Sequence, residues 1–293
     1  MKYYYSYAGF YMNIDNFFLK FYSKLEKDAV LVGLDFNLNN ENNNKFYSID
    51  NDYRIIKNDI ENSLSGYSIL KKIAYKNNNK INIDEEIINK VFEKKLLFGI
   101  PLYIPNKNKK INKALFLDRD GILMEDFGYV GSVDRVKIKK EFIEIVKYAK
   151  EKGFITIVAT NQAGVSYGYY TEEDVRKVHK YIYEEYKKCG ALIDDFYYCP
   201  YHIKSENKKY NIISMMRKPE SGMHLLASKK YNIDLSASFM IGDRDTDIIK
   251  IPYLKTLLIE TPAYKIINRE NIVDTKDIYY YLQNGDINYD WNI

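Results

Sequence analysis

Past residue 113 the chain alternates between short continuous apolar runs and longer stretches whose apolar residues recur every third or fourth position. Lys113–Asp118, Phe154–Thr160, Ile193–Cys199, Ser238–Asp243 and Thr256–Glu260 are the apolar runs and read as buried strands. Lys139–Lys152, Thr171–Cys189 and Glu220–Tyr231 read as helices, with a shorter one at Asp245–Lys250. Strands that are apolar along their whole length need cover on both faces, so this order predicts an α/β domain, a doubly wound parallel sheet. Such sheets take their ligands beyond the carboxyl ends of the strands.

Ahead of residue 113 the pattern is looser. Ala29–Leu34 reads as a strand, Phe46–Ile56 as a short hairpin and the Asn-rich stretch Asn37–Asn44 as a surface loop. Asp84–Leu97 places apolar residues at Ile87, Ile88, Val91 and Leu96 behind three first-turn acids, which predicts an amphipathic helix with its acids at the positive end. A smaller α+β domain is therefore expected over residues 1–104. The Lys- and Asn-rich run Pro105–Asn112 is expected to be a solvated linker, and residues 113–293 the main domain. No chemical motif occurs before the linker.

Composition narrows the function classes. Of 293 residues, 46% are apolar and 29% charged, which fits a folded soluble protein. No run approaches the roughly 18 consecutive apolar residues of a membrane helix, and no apolar signal-like core follows Met1–Tyr5, so a cytoplasmic location without membrane contact is expected. Two cysteines, Cys189 and Cys199, provide no disulfide framework. The 30 tyrosines follow from A/T-rich codon usage as readily as from any stacking function. Net charge is +4, but residues 1–113 hold 18 basic against 13 acidic side chains and the rest 26 against 27. The surplus belongs to the first third and its linker lysines, so no nucleic-acid partner is expected.

Candidate chemistry collects at the strand ends. Asp118 and Asp120 lie two apart in Asp118-Arg-Asp-Gly121; in extended chain they share a side while Arg119 faces away. Alone, the pair suits a surface turn as well as a hard cation such as Mg²⁺. The second strand ends in Thr160-Asn161-Gln162, a hydroxyl and two amides able to donate to phosphate oxygens. The fourth ends in Gly242-Asp-Arg-Asp-Thr-Asp247, and Arg217-Lys218 places two cations before a helix. Each fragment is weak alone; together, at one sheet edge, they indicate phosphate chemistry.

The constellation resembles the haloacid dehalogenase-like (HAD) phosphohydrolases over roughly residues 113–262. Asp118–Gly121, Gly128-Tyr129-Val130, Thr160–Gly164, Gly168–Asp174, Tyr198–Pro200, Arg217–Pro219, Gly222-Met223 and Gly242–Arg244 look like D-glycero-D-manno-heptose 1,7-bisphosphate phosphatases, with histidinol-phosphatases as near relatives. The resemblance implies a Rossmann-like, capless fold, because the interval from Asp118 to Lys139 is too short for a cap. It implies a Mg²⁺-dependent sugar-phosphate phosphatase working through an aspartyl-phosphate. Asp118 would be the nucleophile and Asp120 the general acid and base. Thr160 and Lys218 would steady the transferring phosphoryl group. Metal ligands would be Asp118, the backbone carbonyl of Asp120, and Asp243. Asn161, Gln162, Arg217, Arg244, Asp126 and Tyr129 would face the substrate. Asp245 and Asp247 would hold Arg244 or Lys218, or serve as plain helix N-terminal acids. A non-catalytic scaffold on the same fold is the reading from another class.

Two features depart from the resemblance. Such phosphatases carry a structural zinc, yet the ligand positions here read Cys199, Tyr201, Ser214 and Met216, with His202 one position off. No zinc is expected, Cys199 becomes a small buried residue, and the Tyr201–Met216 loop must be ordered by packing. Ile122 stands where Thr is common after the Asp-x-Asp-Gly motif. His179 and His224 read as ordinary helix residues. Residues 1–104 resemble the later half of a sugar-phosphate nucleotidyltransferase without its Gly-rich nucleotide loop; alternatively they form a module for self-association or for a partner enzyme.

Overall fold

All five apolar runs become neighbours in one parallel sheet. The strands are β7 (Lys113–Leu117), β8 (Phe154–Asn161), β9 (Asp195–Cys199), β10 (Phe239–Gly242) and β11 (Lys255–Leu258), in the order β11-β10-β7-β8-β9. Helices α1 (Lys140–Glu151), α2 (Glu172–Lys188) and α3 (Gly222–Tyr231) connect them. Ala114–Leu117 and Phe239–Gly242 are buried throughout, as strands covered on both faces must be. The core gathers Leu115, Leu117, Phe142, Val158, Val178 and Ile241. A capping box between Thr171 and Asp174 starts α2, with Glu172 and Glu173 also at its positive end. Between β7 and α1 lie only turns and a short 3₁₀ segment, so no cap domain is inserted there.

The computed structural model describes residues 103–285 and, nearer the amino terminus, strands β1 (Val30–Asn37), β2 (Tyr47–Ile49), β3 (Ile55–Lys57), β4 (Gly66–Lys76), β5 (Asn79–Lys80) and β6 (Leu97–Pro101). These form a second sheet in the order β3-β2-β4-β1-β6, with β5 on β4. β1 pairs antiparallel with β4 and parallel with β6, and β2 with β3 makes the expected hairpin. The expected helix at Asp84–Leu97 falls outside the described residues except for Leu97, which opens β6. The chain divides into two compact units after Tyr103. Among the described residues no helix is long and apolar enough to cross a membrane.

The structure adds to or corrects the sequence reading at three places. Residues 106–110 are exposed, as expected of a solvated linker, but the 105–112 stretch is also anchored. Asn232 ends α3 in the left-handed conformation, at φ 52°, and its amide Nδ2 donates to the carbonyls of Asn106 (3.0 Å) and Lys110 (2.9 Å). Asn112 Nδ2 adds a bond to the Tyr231 carbonyl, so this stretch is tied to the end of α3. The helix expected at Asp245–Lys250 shrinks to a 3₁₀ turn over Asp245–Asp247. A further helix, α4 (Thr275–Asn284), was not anticipated; Asp274 and Asp277 make its capping box, and Ile278 and Leu282, one turn apart, enter the core.

That burial yields a prediction. Leu282→Ala should destabilise the protein by about 2–5 kcal/mol through lost apolar transfer and a residual cavity, measured by urea denaturation of the full chain. A change within experimental error would show that α4 lies outside the cooperative core.

Candidate active site

β7 and β10 are adjacent, and from them the chain departs to opposite edges of the sheet, which makes their carboxyl ends the topological switch point. Asp118 follows β7 and Asp243 follows β10; the Asp118 amide continues the pairing by donating to the Ile241 carbonyl at 2.9 Å. Asp247, from the 3₁₀ turn, completes a group with Asp118 and Asp243 whose ligand oxygens lie within 4.8 Å of one another, all three residues buried. Two glycines permit that approach. Gly121 takes φ 81°, and a Cβ there would stand 2.1 Å from Asp243 Oδ2; a Cβ on Gly242 would meet Asp247 Oδ2 at the same distance.

Lys218 is 1% exposed and extends its ammonium between two of these acids, 2.9 Å from Asp118 Oδ1 and 2.5 Å from Asp247 Oδ1. Burial opposes its charge, but Asp118 and Asp247 outweigh that and hold the ammonium above its ordinary pKa. Asp247 Oδ2 also accepts from the amides of Asp243 (3.1 Å) and Arg244 (3.0 Å). Asp247 therefore both holds Lys218 and caps the turn, uniting the two roles that sequence left open. Asp245 does neither: it accepts from the amides of Ile267 and Asn268 and from Tyr264.

Asp243 is the acid with the least neutralisation. Burial, then the charges of Asp118 and Asp247, push its pKa up to about 7. Thr261 Oγ1 donates to its Oδ2 at 2.9 Å, while its buried Oδ1 has no hydrogen-bond donor among the described residues, Arg244 Nε being 3.8 Å away. An oxygen-only donor set holding an unpaired buried carboxylate oxygen fits a hard divalent cation.

Asp120 is held differently from the expectation. Strand alternation ends at Leu117, and Asp120 lies in a turn bridged to Met124. Arg119 does not face away. Fully buried, it grips Asp120 through Nη2 (2.9 Å to Oδ1) and Nε (3.2 Å to Oδ2) and donates to the Val130 carbonyl. Gln162 Nε2 reaches both Asp120 Oδ2 at 2.9 Å and Thr160 Oγ1 at 3.0 Å.

Several residues expected to face a substrate are engaged within the protein. Both hydrogens of the Gln162 amide are used on Asp120 and Thr160. Asn161 holds the backbone of Lys218, accepting from its amide (2.9 Å) and donating to its carbonyl (3.0 Å). Arg244 pairs with Asp126 at 2.5 Å, and Asp126 also accepts from the Gly128 amide, so the pair shapes the 126–130 turn. Arg217 donates to the Tyr201 carbonyl at 3.3 Å, and Tyr129, half exposed, meets Tyr167 and Tyr169 edge-on. Arg119, Thr261 and Tyr170 are contributors that motif reading passed over. Arg119 stands within Asp-Arg-Asp and Tyr170 within the Gly168–Asp174 run, whereas Thr261 carried no local signal.

The Tyr201–Met216 loop is ordered by hydrogen bonds as well as packing. Tyr198 and Tyr210 donate their hydroxyls to Glu172 Oε2 (2.9 Å) and Oε1 (2.8 Å), and Val165, Val175 and Tyr210 form a small apolar cluster. Ser205 Oγ donates to the Ser166 carbonyl at 2.6 Å, and His202 Nδ1 accepts from the Lys204 amide. Cys199 is buried, and burial pushes its thiol up to about 11. His179 packs on Phe196, and His224 lies beside Phe116, held neutral by burial.

Comparison with known proteins supplies the family. A HAD-hydrolase-like family matches residues 215–249, the stretch that holds Lys218, Asp243 and Asp247. Over 137 residues the chain is 39% identical to the D-glycero-alpha-D-manno-heptose-1,7-bisphosphate 7-phosphatase of Burkholderia mallei, a match covering 47% of this chain and 72% of that protein. To the D-glycero-beta-D-manno-heptose-1,7-bisphosphate 7-phosphatase of Helicobacter pylori it is 40% identical over 139 residues, 47% of this chain and 76% of that one. The solved structure of a HAD-like phosphatase from Mesorhizobium loti shares the fold, with a TM-score of 0.52 and 24% identity over 62% of this chain and 91% of that one. At such identity across most of each curated relative, the chain belongs to the family of the heptose 1,7-bisphosphate 7-phosphatases among the HAD-like hydrolases, and it is a phosphoric monoester hydrolase.

Proposed function

We propose that the chain removes the 7-phosphate of D-glycero-D-manno-heptose 1,7-bisphosphate, with Asp118 as nucleophile and Asp120 as general acid and base. The observation that carries the reading is the meeting of Asp118, Asp243 and Lys218 at the β7/β10 switch point. A carboxylate oxygen of Asp118 attacks phosphorus, forming an aspartyl-phosphate as the bond from phosphorus to the sugar oxygen breaks. Asp120 gives its proton to the departing oxygen. It then takes one from water, which attacks phosphorus, frees inorganic phosphate and restores Asp118. Lys218 offsets the charge that gathers on the phosphoryl oxygens, and Asn161 keeps its backbone in place. Asp118, Asp243 and the carbonyl of Asp120 would hold Mg²⁺, which when bound supplies further charge neutralisation at the phosphoryl group. Arg217 is assigned to the far end of the substrate. The named relatives support the heptose substrate, and since they include both anomers, assay must choose between them.

Zinc has no place in this reading. Cys199, Tyr201, Ser214 and Met216 do not make a closed zinc site, and the Cys199 thiol is held protonated. Glu172, with its two tyrosines, takes over the ordering of the loop that leads to Arg217.

Wild-type protein with Mg²⁺ should release one phosphate from heptose 1,7-bisphosphate and far less from histidinol phosphate; the reverse ranking would move the chain to the histidinol branch. Asp118→Asn should bring phosphate release to background with an unchanged circular dichroism spectrum, and near-normal turnover would remove Asp118 as nucleophile. Lys218→Met, which leaves two buried carboxylates without their cation, should cost about 3–5 kcal/mol in metal-free chemical denaturation. Purified protein should contain no bound zinc by elemental analysis, and one zinc per chain would overturn this reading. Glu172→Ala should cost about 2–3 kcal/mol by the loss of two charge-assisted hydrogen bonds.

A further inference from the structure

Tyr170 lies immediately before the capping residue of α2 and belongs to none of the groups assigned to the reaction. Its half-buried ring fills a slot between two glycines. A Cβ on Gly131 would stand 2.2 Å from Tyr170 Cδ1 and one on Gly164 2.3 Å from Cε1, so the absence of side chains at both glycines lets the backbone close onto the ring. The phenol is thereby delivered to Gln162, donating to Oε1 at 2.8 Å. The Asp120 carboxylate, which can only accept, draws Nε2 to its Oδ2 (2.9 Å), with Thr160 Oγ1 at 3.0 Å; the Tyr170 hydroxyl then donates to Oε1 and holds that orientation. In the reversed orientation the amide oxygen would confront the Asp120 carboxylate, replacing a hydrogen bond with a repulsion. Burial pushes the Tyr170 pKa up to about 12, which keeps the phenol a donor throughout the working range.

We propose that Tyr170 is a positioning residue for the phosphatase reaction, fixing the Gln162 amide so that Gln162 and Arg119 together hold the Asp120 carboxylate in one orientation. Resting on the assignment of Asp120 as acid and base, the inference adds the outer link that aims it. The effect belongs to turnover rather than binding, because the Tyr170 hydroxyl and the Gln162 amide are engaged within the protein, the phenol also interacting with Arg119. Arg119 holds both carboxylate oxygens through its fork, and the Gln162 amide adds a second donor to Oδ2. Freeing that amide to turn loosens Asp120 by the small displacement that proton transfer tolerates poorly.

The test is a double-mutant cycle in the full chain, assayed on heptose 1,7-bisphosphate with Mg²⁺. Tyr170→Phe keeps the ring in its glycine slot and should leave Tm near wild type while lowering kcat roughly tenfold, with KM little changed. Gln162→Leu should lower kcat at least as far. Because Tyr170 acts through Gln162, the double variant should be no slower than Gln162→Leu alone, whereas independent roles would multiply the losses. An unchanged kcat in Tyr170→Phe, a loss confined to KM, or multiplying losses would overturn the proposal. Asp120→Asn separates this from the reading beneath it: background turnover there upholds the acid/base assignment whatever Tyr170 does, and near-normal turnover overturns both.

Discussion

The ammonium of Lys218 is the point on which the site depends. It is buried between Asp118 and Asp247, and a charge at that depth is tolerable only because both partners lie within ion-pair distance. The requirement runs outward through the fold. Asp247 must come from the turn after β10, Asp118 from the end of β7, and the Lys218 backbone must be seized from β8 by Asn161. Three strands adjacent in the sheet, though distant in sequence, are tied to one side chain. Any of them out of place would leave an unpaired charge in the interior.

Charge balance also explains why the site suits a cation. Asp118, Asp243 and Asp247 share one buried volume with a single lysine, and Asp243, furthest from that lysine's help, is the acid whose pKa rises to about 7. Excess negative charge is stored where a divalent ion and a phosphoryl group would meet. Asp120 stands apart from this cluster. Arg119 and Gln162 hold it in a separate hydrogen-bonded frame, so two carboxylates two residues apart are given different surroundings and can serve different chemistry.

Two loops are held by bonds of their own. The 126–130 turn is pinned by Arg244 to Asp126 and by Arg119 to the Val130 carbonyl, with Tyr129 left half exposed. The Tyr201–Met216 loop is joined to α2 by Tyr210 on Glu172, which also accepts from Tyr198 of β9. This pair of phenol-to-carboxylate bonds sits at the N-terminus of α2, where a negative charge is favoured.

Much of the fold was legible in the chain because its signals are local. Continuous apolar strands, three-to-four spacing in the helices and the Thr171 cap follow from neighbours in sequence, and strand ends carrying Asp118, Thr160 and Asp243 put candidate chemistry at one sheet edge. α4 went unread since its helical pattern is short, with two apolar residues meaningful only against a core assembled elsewhere. The expected helix at Asp84–Leu97 stays open, falling outside the described residues. Within the site, sequence named the acids and Lys218 but not who holds whom. Arg119 was turned away by strand alternation that had already ended, and Asn161, Gln162 and Arg244 were offered to the substrate although each is engaged by the protein. Residue types and order determined the fold class and the chemistry. Pairing, amide orientation and the choice of which carboxylate stays unneutralised depend on distances between residues remote in sequence, and only the folded chain decides those.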